Sequence, residues 1–144
     1  MTNLTEFTFL SSDGKTRLHA MQWLPEGTPR AVLQISHGVA EHIGRYDHFA
    51  RFLNQHGYIV TAEDHMGHGG SIVGDLKGYF NGGWMNAVAD VKALHDKTAA
   101  EHPGLPYIFL GHSMGSFLLR TYLYTYPEAL NAAIISGTGW QPAA

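Results

Sequence analysis

Gly111-His112-Ser113-Met114-Gly115 sets a serine two positions from a glycine on each side. A serine hydroxyl attacks an ester carbonyl when an imidazole takes its proton and when N–H groups await the oxyanion that forms. The glycines serve the geometry of that chemistry, because they omit side chains that would collide where the backbone turns sharply enough to lift a hydroxyl clear of its neighbours. The setting fits as well. The apolar run Tyr107-Ile108-Phe109-Leu110 precedes the motif, and a helical pattern from Met114 to Tyr126 follows it, so Ser113 is expected at a strand-turn-helix corner. Free N–H groups and a positive dipole end at the helix start make the Met114 N–H the first expected oxyanion donor. A serine at a helix start can also be a mere cap; the two glycines and the preceding strand favour the nucleophile.

A second donor is expected from the loop after the first parallel strand, where His37-Gly38-Val39 stands, and the Val39 N–H is the candidate. Without the serine motif, His37-Gly38 would read as a simple turn.

The elements that must position these residues follow from periodicity. Thr5 to Leu10 and Thr16 to Leu24 alternate in polarity around Asp13-Gly14, which predicts an opening β-hairpin with a tight turn. Ala31 to Ser36 is apolar enough for a buried central strand. Tyr46, Phe49, Ala50 and Leu53 share one helical face that Gly57 ends. Tyr58 to Ala62 is the next strand, followed by a glycine-rich loop from Asp64 to Gly83. Met85 to Ala100 is a helix, and Ala132 to Ile135 a last strand. Strands separated by single helices lie parallel with right-handed crossovers, so the fold class is α/β: a mostly parallel sheet with helices on both faces and an N-terminal hairpin. Ligands bind at the carboxyl ends of such strands, where Ser36–Val39, Asp64–Gly70 and His112–Met114 fall together.

With those loops in place, the chain resembles the monoacylglycerol lipase and lysophospholipase branch of the α/β-hydrolases. The resemblance rests on His37-Gly38-Val39-Ala40-Glu41-His42 with Arg45-Tyr46, on Asp64-His65-Met66-Gly67-His68-Gly69 with Ser71, and on Gly111 to Gly115. It implies Ser113 as nucleophile, the Val39 and Met114 N–H groups as oxyanion hole, and esters of single fatty acyl chains as substrates. His37, Gly38, Gly111, His112 and Gly115 are then structural around the site, as is His42. Two positions depart from the family pattern: Ser116 stands where a glycine is common, and Met66 where a basic or aliphatic residue is commoner.

The base and its carboxylate are missing. In this fold the order is Ser, then Asp or Glu, then His, yet after Ser113 there is no Asp and no His, and Glu128 is the only acid. The triad Asp and His are therefore expected to be absent from this chain. The 144 residues read as a single but incomplete domain, the N-terminal part of a hydrolase, inactive alone and completed by a C-terminal segment, a second chain or an oligomer. The resemblance puts the start of a lid near Gly137 to Pro142. The strand Ala132–Ile135 should then be an open apolar edge. An upstream histidine on the rim, among His37, His42, His65 and His68, is the alternative base, against the usual order.

Composition bounds the rest. With 44% apolar residues and a net charge of −3 in scattered charges, a buried core is affordable and a phosphate-tracking surface is not, so nucleic acid is no expected partner. No cysteine is present, which removes disulfides and thiolate zinc sites. No basic-then-apolar leader opens the sequence and no eighteen apolar residues run together, so a cytoplasmic protein without a transmembrane segment is expected, needing no cofactor. Two other functions compete: a metal-dependent hydrolase using Asp64, His65 and His68, and a binding module that keeps the fold without the triad. Nucleotide motifs fail on spacing: Phe9 stands where Gly14-Lys15-Thr16 needs a glycine, and Ile72 where Gly67-x-Gly69 needs one.

Overall fold

The structure is a computed structural model that describes residues 3–140. Gln141 and Pro142, the far end of the expected lid start, lie outside the described residues, as do Met1 and Thr2. Six strands form one sheet in the order β1-β2-β4-β3-β5-β6. The opening hairpin pairs β1 (Asn3–Leu10) with β2 (Arg17–Leu24), from Asn3 opposite Leu24 to Leu10 opposite Arg17. The connection is a six-residue loop and not the tight turn expected at Asp13-Gly14. Its shape comes from the Asp13 carboxylate, which accepts N–H bonds from Lys15 and Thr16 at 2.8 Å each and the Thr16 hydroxyl at 2.7 Å, a side chain standing in for a turn's backbone bond.

β2 joins β4 (Tyr58–Glu63) antiparallel, and from there the sheet is parallel: β3 (Ala31–Ser36) lies between β4 and β5 (Tyr107–His112), with β6 (Ala132–Ser136) outside β5. All six residues of β3 are buried, as its apolar run requires of a strand covered on both faces. Leu33 and Ile35 pack with Ala50 of α1 (Asp47–Gln55) on one face. On the other, Phe109 packs with Val88 and Val91 of α2 (Gly83–Glu101) and Leu118, Leu119 and Tyr122 of α3 (Met114–Thr125). Gln34, a buried polar side chain in β3, is satisfied by the Val91 carbonyl at 3.0 Å and by Tyr107.

Some expectations shift. Tyr46 belongs to a 3₁₀ turn, Ile43–Tyr46, that leads into α1, and Phe49 is 37% exposed because it sits at the edge of the face that Ala50 buries. Along α3, Tyr122 is fully buried whereas Tyr124 is 90% exposed. β6 is an open edge, with Ile134 and Ile135 exposed. Among the described residues no helix is long and apolar enough to cross a membrane.

The chain runs from β3 outward to β4, then returns to the opposite side of β3 as β5. That reversal opens a crevice at the carboxyl ends of β3 and β5, the place where α/β sheets take ligands.

Candidate active site

Two residues other than glycine hold positive φ among the described residues, Ser113 at 52° and Ala40 at 57°. They lie on the loops that follow β5 and β3. Left-handed backbone costs a residue with a Cβ about 1–3 kcal/mol, so its confinement to these two loops marks where the fold is held against local preference. Ser113 has ψ −120° and precedes α3 as its cap residue without making a side-chain cap bond; its hydroxyl has no hydrogen-bond partner among the described residues. The simple-cap alternative is thereby removed.

The glycines of the motif are required by contact. A Cβ on Gly115 would stand 2.0 Å from the Ser36 carbonyl oxygen, and one on Gly111 would stand 2.4 Å from the Gly115 oxygen. The elbow thus presses α3 directly onto the end of β3 and onto its own strand. The Ser113 N–H donates to the Ser136 carbonyl at 2.9 Å, and the Ser113 carbonyl accepts from the N–H and hydroxyl of Ser116. The departure to serine at 116 therefore adds a tie to the elbow. His112 bonds the Ser136 hydroxyl at 3.1 Å and so ties the elbow to β6.

The opposing loop is equally fixed. A Cβ on Gly38 would come within 3.0 Å of the Ser113 Cβ, which brings the two loops into contact. The Gly38 N–H donates to Glu41, whose carboxylate also receives the Tyr46 hydroxyl and Arg45, both at 2.7 Å. Since Gly38 spends its N–H on Glu41, the next N–H, that of Val39, is left without a partner among the described residues. The unpartnered Val39 N–H thus lies one residue past the point where its loop touches Ser113, and α3 starts directly after Ser113 with its first N–H groups outside the helix's own bonds.

Beneath the loop lie the rim histidines. His37 is fully buried; its Nδ1 donates to the Gly38 carbonyl at 2.7 Å and its Nε2 accepts the His65 N–H at 3.0 Å. Burial, with His65 close by, pulls His37 down to about 3, so it is a neutral brace. His65 bonds the Ser36 hydroxyl at 2.9 Å, and burial brings it to about 4. His68 bonds the Met66 carbonyl. None of these rings, nor that of His42, is hydrogen-bonded to Ser113 among the described residues.

Asp64 joins the loops. It accepts the N–H of Ile43 and of Gly70 and the ring of His19, each at 2.8 Å, and these bonds outweigh the burial that would raise its pKa, leaving it lowered. Asp64, His65 and His68 therefore turn to separate partners, and no group of three metal-capable side chains forms among the described residues. Glu41, Asp64 and Ser36 are the supporting residues that spacing did not single out as such. Beside the Val39 loop opens a cleft of about 430 Å³ bordered by Val39, Glu41, His42, Ile72 and Lys77.

Known proteins share this fold. Residues 27–144 match the family described as serine aminopeptidase, S33 (Hydrolase_4). The chain is 39% identical to a monoacylglycerol lipase of Mycolicibacterium smegmatis over 86% of its own length and 43% of that protein's. It is 40% identical to the human monoglyceride lipase over 74% of its length and 34% of the relative's. A carboxyl esterase of Bacillus coagulans superposes with a TM-score of 0.86 at 33% identity, covering 92% of this chain and 44% of the esterase. The chain thus spans less than half the length of these relatives.

Proposed function

The chain belongs to the serine aminopeptidase S33 family of α/β-hydrolases, and from that premise we propose that it carries the nucleophile half of a serine carboxylic-ester hydrolase. The observation that carries this reading is Ser113 itself: a serine at positive φ with an unengaged hydroxyl, in contact with the loop that holds the unpartnered Val39 N–H. Ser113 Oγ attacks the ester carbonyl carbon, and its proton passes to an imidazole supplied from outside the described residues. The carbonyl oxygen becomes an oxyanion held by the Val39 and Met114 N–H groups. Collapse expels the alcohol, which takes the proton from the imidazole, and leaves an acyl-Ser113 ester that water hydrolyses by the same route reversed. No step calls for a cofactor.

Single-acyl-chain esters, such as monoacylglycerols and lysophospholipids, are the proposed substrates, supported by the names of the relatives at 39% and 40% identity. The missing Asp and His come from a complementing segment or second chain, for which the exposed β6 edge is the seam, and the chain alone is inactive. A non-catalytic binding module is the second reading, favoured by one fact: no described residue stands as base to Ser113. Joining the chain to the C-terminal part of the M. smegmatis lipase separates them. Hydrolysis of a monoacylglycerol that falls by about 10⁴-fold or more in Ser113→Ala supports the enzyme, since triad members act as a unit. A folded chimera without hydrolysis supports the module.

A further inference from the structure

Glu63 ends β4 with its carboxyl fully buried, and neither of its oxygens has a hydrogen-bond partner. An orphan carboxyl costs a fold free energy and calls for an explanation. One neighbour offers it. His65 Nδ1 lies 3.4 Å from Glu63 Oε1, too long for a good hydrogen bond but closed by a few tenths of an ångström of side-chain rotation. The other nitrogen of the same ring, Nε2, is 2.9 Å from the Ser36 hydroxyl. Ser36 is the last residue of β3, its carbonyl oxygen is the atom against which Gly115 of the elbow packs, and the Val39 loop begins directly after it. The His65 N–H in turn holds His37, which holds the Gly38 carbonyl. Glu63, His65 and Ser36 therefore form a buried line of donors and acceptors leading to both sides of the proposed oxyanion hole.

We propose that Glu63 is a positioning residue for the oxyanion hole, setting through His65 the direction of the hydrogen bond at Ser36. The inference rests on the reading of Val39 and Met114 as oxyanion donors. In the acid form Glu63 donates its O–H to His65 Nδ1, so the neutral ring carries its proton on Nε2 and donates to the Ser36 oxygen. When Glu63 loses its proton to solvent, the carboxylate accepts from the ring instead. The single ring proton then resides on Nδ1, and the Ser36 hydroxyl turns to donate into Nε2. The number of protons on His65 is unchanged; only Glu63 has released one.

The surroundings place this switch in an accessible range. Burial, with Asp64 adjoining, pushes Glu63 up to about 8. The other titratable groups that face it are Asp90 from α2 and Tyr107 from β5, together with neutral His65. None of them is a cation at neutral pH to hold the carboxylate charged.

Nitrogen-15 NMR of ring-labelled histidine in this chain, with the backbone amides of Gly38 and Val39 followed in parallel from pH 6 to 10, tests the proposal without needing activity. His65 is expected to change from the Nε2–H to the Nδ1–H tautomer near pH 8, the two amides shifting with the same midpoint, and Glu63→Gln to keep one tautomer throughout. A His65 tautomer that is independent of pH in the natural chain overturns the proposal, and so does a switch that leaves the two amides unmoved. If Glu63→Gln does not fold, the titration of the natural chain decides alone. Failure of ester hydrolysis in the chimera leaves these readings unaffected, so the two conclusions fail separately.

Discussion

β3 and β6 are parallel strands of one sheet, separated by β5, and both end on the rim that carries Ser113. All six residues of β3 are buried, whereas four of the five in β6 are exposed. Both are mostly apolar and end on a serine, Ala-Val-Leu-Gln-Ile-Ser in β3 and Ala-Ala-Ile-Ile-Ser in β6, so apolar content alone does not make the difference. β3 has a strand on each side and helices over both faces; β6 has β5 on one side and α3 as its main helical neighbour. The half of the site built on β3, which carries the loop of the proposed Val39 donor, is enclosed by its neighbours, while the side built on β6 presents apolar surface of the kind soluble sheets normally cover.

The strongest way to break the enclosed side is Gly115→Ala, which drives a methyl into the Ser36 carbonyl. Backbone-to-backbone overpacking of this kind should cost about 3 kcal/mol, read as a fall in the urea midpoint. Asp64→Ala comes next: it frees the Ile43 and Gly70 N–H groups and leaves His19 without its buried partner, an expected loss of about 2–3 kcal/mol. An unchanged midpoint in either variant would mean that the loops are not held as described.

How much of this was legible in the sequence follows the same division. Periodicity located the strands and helices because apolar spacing is a local property, and the serine motif located the elbow because glycines are the residues that tolerate its close contacts. Local spacing could not reveal Asp64 as a joint between its own loop, the loop of Ile43 and strand β2, since its partners Ile43 and His19 lie 21 and 45 residues away. Asp64 read instead as one member of a metal-like triplet with His65 and His68. The Asp13-Gly14 pair likewise read as a tight turn because the side-chain bonds of Asp13 that stretch the loop are invisible to pattern. β6 read as an apolar strand, and its Ile134 and Ile135 are exposed.

A smaller effect concerns pH. Burial draws the His19 imidazole down, but its bonds to Asp64 and Glu6 outweigh this and raise its pKa above 6.5, while Asp64 is lowered below 3.8. Stability from His19 is complete below 6.5 and is lost as the pH rises through its raised value; stability from Asp64 is present above 3.8 and is lost as the pH falls through its lowered one. The destabilisation by His19→Asn should therefore be largest between pH 3.8 and 6.5 and shrink toward pH 9, measured by thermal unfolding. A gap that grows with alkalinity would reverse the assignment. Smallest of all, Ile134→Lys on the bare side should change stability by no more than about 0.5 kcal/mol, because the side chain is already exposed, yet it should weaken joining of the chain to a complementing segment.

The central claim is that Ser113 has its oxyanion hole but no base within these residues, and labelling by a fluorophosphonate probe tests it most directly. The chain alone is predicted to resist labelling, the chain joined to a relative's C-terminal part to label at Ser113, and Ser113→Ala to abolish that labelling. Rapid labelling of Ser113 in the isolated chain would contradict the account, because it would require a base among the residues described.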